Sequence, residues 1–360
     1  MKRLFILVAL LTVLLAGCAP IAVGTSLGTI VYTLDTQTLT HKTLETPVIG
    51  QIYQDDLKDN LVTLPASTGT MATQEWVIAN SFGPGEIWYA DNTTGTDAGA
   101  GTSWATATKT IEEAVLKASS GDTVFILGSF NENVTLATTA IRLIGVGSTT
   151  AQSLWTAPTD NVCLTITAPD CVVKNIRFRP PAYGSGVPAA ISLSGAWQTI
   201  IDGNRFQGRS GSWYAILTDG NNANVRVINN DFDYMNTASH GTAIKGTGYT
   251  VGENSGWLID GNRFGSDAYH IVCRFRQSVI QNNTFSAYGL KADNSMGAPT
   301  TCIDISGSAY GANLVTKNTF GTPYTTALYT SAVNDSWVGN YTYSSVTAPY
   351  GLSIGVPGGT

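Results

Sequence analysis

The sequence is short of charge, of histidine and of methionine, and each shortage removes a class of protein. Charged residues make up only 12% of the 360 positions, so Glu- and Lys-rich stretches of the kind that coat helical bundles are few. Lysine and arginine total 19 against 25 aspartates and glutamates, a formal net charge of −6, and the basic residues form no run. That balance excludes a nucleic-acid partner, which needs clustered cations against phosphate. Only three histidines occur (His41, His240, His270), and the five cysteines are spaced like neither a zinc ribbon nor a redox motif, which excludes a zinc site. What the chain has instead is glycine, 38 residues of it, and 43% hydrophobic content: many tight turns around a large core. The combination points to an all-β protein with an N-terminal appendage.

Residues 1–18 read as a targeting segment. Lys2 and Arg3 supply a charged start, Leu4 to Leu15 an apolar stretch too short to span a bilayer, and Leu15-Ala16-Gly17-Cys18 a small-residue end. The tetrapeptide resembles a bacterial lipobox. That resemblance implies that Cys18 is lipidated and becomes the first residue of the mature chain, with the protein anchored in the cell envelope or otherwise extracellular. An exported chain meets an oxidising compartment, so a Cys163–Cys171 bridge across Ala168-Pro169-Asp170, or a Cys273–Cys302 pairing, is open; so is the alternative that all four are small apolar core residues.

After the signal, residues 19–84 form a stalk or small cap region, 85–350 the main domain and 351–360 a C-terminal tail. In the first of these, Ala72-Thr73-Gln74-Glu75-Trp76-Val77 resembles short segments of phage tail-fibre proteins. Ile87-Trp88-Tyr89-Ala90 reads as a strand. Beyond a Gly/Thr/Asp loop, Ile111, Ala114, Val115 and Ala118 fall on one face at helical spacing, with Glu112, Glu113 and Lys117 on the other. Thr110 with Glu113 suits a capping box, and Gly121 suits the left-handed stop. A lone amphipathic helix ahead of a long β region suits a lid over the first turn of a solenoid.

The remainder repeats one pattern: Ile201-Asp202-Gly203-Asn204-Arg205-Phe206, Ile228-Asn229-Asn230-Asp231-Phe232, Ile259-Asp260-Gly261-Asn262-Arg263-Phe264, Ile280-Gln281-Asn282-Asn283-Thr284-Phe285 and Val315-Thr316-Lys317-Asn318-Thr319-Phe320. Val173 to Phe178 and Val338 to Tyr341 are looser copies. The spacing varies too much for helical repeats, yet it fits β coils of constant cross-section with variable loops. The expectation is one Asn per coil at a sharp bend, hydrogen-bonded to the Asn of the next coil, with the Phe two residues on stacking inward.

The run Trp88-Tyr89-Ala90-Asp91, Gly101-Thr102-Ser103-Trp104, Thr110-Ile111 and Gly121-Asp122-Thr123-Val124, followed by the Asn-x-Phe copies, resembles the pectin-lyase-like β-helix family. The resemblance implies a right-handed single-stranded parallel β-helix with an N-terminal capping helix. It leaves the activity open, since such folds carry polysaccharide lyases, glycoside hydrolases, phage tailspikes and adhesins.

A second strand lies in each coil: Ala190-Ile191, Ala215-Ile216, Ala243-Ile244, His270-Ile271 and Cys302-Ile303 mark it. If the isoleucines stack inward, strict alternation turns Asp219, Lys245, His270, Arg274 and Asp304 to the outer face. These are the candidate catalytic residues. Arg274 with Lys245 or His270 suits β-elimination at a uronate, where a cation neutralises the carboxylate and a base takes a proton; Asp219 with Asp304 suits hydrolysis only at roughly 5–10 Å separation. Asp202-Arg205 and Asp260-Arg263 read as exposed ion-pair ladders. Among the loop aromatics, Trp213, Tyr214, Tyr249, Trp257 and Tyr269 are candidate sugar-stacking residues, with Trp197, Tyr234 and Tyr288 nearby. No cofactor is expected; outward Asp side chains could hold calcium, although no loop has a recognisable ligand spacing. Two functions stay open: an envelope-anchored or phage-associated glycan-binding protein, tailspike-like or adhesin-like and trimeric along its long axis, or a lyase or hydrolase of acidic polysaccharide.

Overall fold

The computed structural model describes residues 52–53, 61–62, 85–147, 153–158, 161–179, 189–208, 213–219, 222–233, 241–246, 254–265, 269–286, 289–290, 296–297, 299–306, 311–321, 329–331, 334–342 and 352–354. The signal segment with Cys18 lies outside them. The chain divides into two compact units, residues 1–71 and 72–360. In the first, Ile52–Tyr53 and Leu61–Val62 pair as antiparallel strands.

The second unit is a parallel β-helix whose coils each pass through three sheets. Its strands are mostly three to five residues long, and in several of the first and second sheets the central apolar residue is buried between two more exposed neighbours. In the first sheet Val124, Leu143, Val173, Ile201, Val227, Ile259, Ile280, Val315 and Trp337 stand in register on consecutive coils. In the second sheet the column is aromatic: Phe130, Trp155, Phe178, Phe206, Phe232, Phe264, Phe285 and Phe320. Ring centroids from Phe178 to Phe285 are 5.3, 4.9, 4.9 and 4.6 Å apart, with planes within 10° of parallel. The third sheet stacks Leu164, Ile191, Ile216, Ile244, Ile271, Ile303 and Tyr329. No single coil could bury these faces; each is covered only by the coil above and below.

Between the first and second sheets runs the expected asparagine ladder. Asn204, Asn230, Asn262, Asn283, Asn318 and Asn340 are all buried. Each Oδ1 from Asn230 onward accepts from both the backbone N–H and the Nδ2 of the preceding ladder residue, at 2.8–3.1 Å. Each Nδ2 also donates to a carbonyl of the preceding coil, as Asn262 does to Val227. The left-handed bend falls one residue earlier than the sequence pattern suggests. Asn175, Gly203, Asn229, Gly261, Asn282, Lys317 and Gly339 carry φ of 54–65°, while the ladder asparagines do not. The residue types follow: Gly and Asn tolerate that region, and the buried amide after it needs both donor and acceptor.

At the N-terminal end the helix Ile111–Lys117 packs on the strands Ile87–Asp91, Thr123–Asn131 and Val134–Leu136, and Ile111, Ala114 and Val115 join the core. Thr110 Oγ1 accepts from the Glu113 amide, Lys117 pairs with Glu113, and Gly121 has φ of 90°. A partner not visible in the sequence pattern is Glu132, whose two carboxylate oxygens accept from the amides of Ile111 and Glu112 at 2.9 and 3.0 Å. At the other end Leu352–Ile354 pairs antiparallel to Asn340–Thr342. All four described cysteines are free and buried, so the two pairings left open by the sequence do not form and the core-residue alternative holds.

Candidate functional site

The outer face of the third sheet is the surface on which the predicted site converges, in part. Thr165, Ser192, Leu217, Lys245, Val272, Asp304 and Thr330 form one half-buried outward column in register. Lys245 and Asp304 are therefore two coils apart, with Val272 between them, a rise of roughly 10 Å. Half-buried Tyr214 and Tyr269 stand at one register position, also two coils apart, with Thr242 between them.

Asp304 is held by its own neighbours. Its Oδ1 accepts from Thr330 Oγ1 at 2.6 Å, Ser306 Oγ at 2.7 Å and the Ser306 amide at 3.2 Å. Burial raises the carboxyl, but these hydrogen bonds and the charge of Lys245 outweigh it and keep the group below its usual range. An ionised, hydrogen-bonded carboxylate of this kind suits a hydroxyl or cation ligand better than it suits a general acid. Asp219 is exposed and accepts from Asn222 Nδ2 at 3.1 Å. It directly follows the strand Tyr214–Thr218, three coils before the strand of Asp304. That is an axial separation of about 14 Å, beyond the spacing of a hydrolytic carboxylate pair. Lys245 and Arg274 do come from adjacent coils, Arg274 being half-buried just beyond the strand Tyr269–Val272.

His270 is a correction. Strict alternation turns it outward, yet in five described coils two successive side chains at this point are buried. Ala190-Ile191, Ala215-Ile216, Ala243-Ile244, His270-Ile271 and Cys302-Ile303 are all fully buried. The His270 ring lies against Phe264 and Phe285, at centroid distances of 5.7 and 5.5 Å, with the backbone of Gly265 as its one polar neighbour among the described residues. Burial pushes its pKa down to about 3, so it is a neutral core group and no base for chemistry on the outside.

Two of the aromatic candidates are likewise core residues. Trp213 and Trp257 are 2% and 1% exposed, and Trp257 Nε1 donates to the Asn222 carbonyl at 2.7 Å. Both indoles join the hydrophobic core, that of Trp257 against Phe275 at a centroid distance of 5.3 Å. Tyr214 and Tyr269 remain accessible, burial raising the Tyr214 phenol; Tyr249, Tyr234 and Tyr288 lie outside the described residues. Trp197 is 51% exposed. The ion-pair ladders also differ from expectation: the Asn bend sends Asp202 and Arg205 to different sheets, so charges pair between coils. Lys174 binds Asp202 at 2.7 Å, while Arg205 and Arg263 both face Asp231 and Asp233. Asp260 accepts from Gln281 Nε2 and Asn282 Nδ2. Among the described residues no three His, Cys, Asp or Glu side chains converge as metal ligands.

Sequence reasoning also missed a second polar ladder, between the third and first sheets. Asn222 Oδ1 accepts from the Ala196 amide, Asn313 Oδ1 from the Ser278 amide, and Asp335 Oδ1 from both nitrogens of Asn313. No constant spacing announces it.

No family model and no curated protein matches the chain. Among solved structures, a rhamnogalacturonan lyase matches with 14% identity and a TM-score of 0.44, covering 67% of this chain and 69% of that one. A pectin methylesterase from Erwinia chrysanthemi matches with 12% identity and a TM-score of 0.37, over 65% of this chain and 89% of that one. Another, from carrot, matches with 14% identity and a TM-score of 0.37, over 74% and 90%. At these identities the likeness concerns the β-helix alone, whose assignment here rests on the strand register described above.

Proposed function

We propose that the protein is an envelope-anchored or phage-associated surface β-helix, tailspike-like or adhesin-like, that binds carbohydrate across the outer face of its third sheet. The observation that carries this reading is the register of Tyr214 and Tyr269, two accessible rings at one position two coils apart, with Lys245 and Asp304 at the same separation three residues further along the strands. Aromatic faces stack on the apolar faces of sugar rings, and the flanking ammonium and carboxylate offer hydroxyl groups a donor and an acceptor. Anchoring through a lipidated Cys18 belongs to the same proposal: Cys18→Ala releases the protein from the membrane fraction.

Calorimetric titration against a polysaccharide panel tests the binding site. Replacing both Tyr214 and Tyr269 by alanine lowers affinity for the bound glycan at least about tenfold, a loss of roughly 1.4 kcal/mol, with the far-ultraviolet circular dichroism unchanged. Equal affinity in the variant rejects the site. The alternative is elimination or hydrolysis on acidic polysaccharide; Lys245 and Arg274 on adjacent coils favour elimination, in which a cation neutralises the uronate carboxylate. Reducing-sugar release or unsaturated-uronate absorbance on the same panel, abolished by Lys245→Ala and Arg274→Ala, would put that alternative first; no turnover on any substrate leaves binding as the function.

A further inference from the structure

The outer face of the second sheet carries a charge pattern that pairs itself everywhere except at one end. One outward column reads Leu154, Arg177, Arg205, Asp231, Arg263 in register. Beside it, Thr156 stands in register with Arg179, and Gln207 with Asp233. In the middle of the face two carboxylates are shared by two guanidinium groups: Asp231 lies 3.6 Å from Arg205 and 2.8 Å from Arg263, and Asp233 lies 3.7 Å from each.

One coil earlier the alternation stops. Arg177 stands directly on Arg205, a single rung or ~4.8 Å away along the axis. Among the described residues no carboxylate pairs with Arg177; its Nη2 donates to Gln207 Oε1, a neutral acceptor that also takes a hydrogen bond from Arg179 Nη2 at 3.0 Å. Partial burial and the like charges of Arg179 and Arg205 lower the Arg177 pKa from its ordinary value, which registers the crowding. The Nε of Arg177 is shielded from water and has no hydrogen-bond partner, whereas that of Arg205 faces Asp231 at 3.6 Å. Among the described residues Arg205 and Arg263 share two carboxylates while Arg177 faces none. Asp231 stands between Arg205 and Arg263 in this column, and no carboxylate stands between Arg177 and Arg205.

An oxyanion supplies what is missing. Guanidinium forks match the geometry of carboxylate and sulfate, and a bridging anion would neutralise the repulsion between stacked arginines. We propose that Arg177 and Arg205, with Gln207 beside them, form an oxyanion-binding site on the outer face of the second sheet, taking a carboxylate or sulfate ester group. That a glycan carries the oxyanion rests on the carbohydrate-binding reading; the oxyanion site itself does not, and it lies on a different sheet from Tyr214 and Tyr269.

The test is calorimetric titration of the full chain at low ionic strength with three oligosaccharides of matched length, one uronate-bearing, one sulfated and one neutral, and with inorganic sulfate. Saturable binding of an anionic probe is expected, weakened about ten- to hundredfold by Arg177→Ala and less by Arg177→Lys, which keeps the charge but not the fork. Arg226→Ala, which removes an exposed cation of the first sheet, leaves this binding unchanged; binding of inorganic sulfate, which carries no sugar ring, separates the site from the third sheet, and preference between the uronate and sulfated probes identifies the source of the oxyanion. Unaltered melting temperatures show that the variants fold. Absence of saturable binding by every anionic probe, or binding indifferent to Arg177→Ala, overturns the proposal; loss of neutral-glycan binding alone bears only on the other face.

Discussion

Removing one interior rung of the asparagine ladder is the sharpest perturbation of the fold. Asn262 donates through Nδ2 to the Val227 carbonyl at 2.8 Å and to Asn283 Oδ1 at 3.0 Å. Its own Oδ1 accepts from the Asn230 amide at 2.8 Å and from Asn230 Nδ2 at 3.1 Å. With the side chain 2% exposed, no water can replace these partners. Asn262→Ala orphans the Asn230 amide, strips a bond from the Val227 carbonyl and leaves a small cavity; at about 1–3 kcal/mol for each buried unsatisfied group, the expected loss is roughly 3–6 kcal/mol. Asn262→Asp keeps the shape and the acceptor but buries a carboxylate against a carbonyl. It should be as damaging at pH 7 and recover in acid, because burial raises the pKa of the new carboxyl in the folded state and its neutral form can again donate. Urea melts followed by circular dichroism, with hydrogen exchange of the Asn230 amide, read both effects. A loss under about 1 kcal/mol for Asn262→Ala with unchanged m value, or an acid-insensitive Asn262→Asp, would refute the claim that the ladder holds the bend.

Three further outcomes follow from the core. Phe264→Ala, which empties a site between rings 4.9 and 4.6 Å away, should cost about 3–5 kcal/mol in the same melts, and a much smaller cost would mean the stack can collapse around the gap. His270 has a folded pKa of about 3 against 6.5 in the unfolded chain, so the unfolded state binds the extra proton. Stability is full above pH 6.5 and falls by on the order of 1.4 kcal/mol per unit as pH drops toward 3. His270→Leu should remove this share of the slope, and a variant with the wild-type slope would contradict burial of the imidazole. Burial raises the Cys171 and Cys273 thiols to about 11 and 12 and the Cys163 thiol further still, so none of the three should react with a thiol reagent at pH 8 until the chain is denatured.

The Asn-x-Phe copies carried the architecture because they are short local strings in which a left-handed residue, a buried amide and an inward ring follow one another; loop length does not disturb them. The outer face was legible only as far as alternation holds. Lys245 and Asp304, one residue after the inward isoleucines, face outward as alternation requires, whereas two successive buried residues turn His270 inward and leave Tyr214 and Tyr269, two residues before the isoleucines, half-exposed. Trp213 and Trp257 misled because an aromatic residue near a turn has the same composition signal whether it closes a core corner or meets a ligand.

By itself, then, the order of residues determined the repeating coil, the inward columns and the helix at the N-terminal end, since each depends on neighbours a few positions apart. Which coil's charge meets which was decided only by stacking. Arg177 on Arg205, Arg263 against Asp231 and Glu132 over the helix start all join residues 20 to 32 positions apart, through loops whose lengths obey no rule. Parallel stacking at a fixed rise brings such residues face to face whatever the loop between them, and that geometry is a property of the assembled column alone.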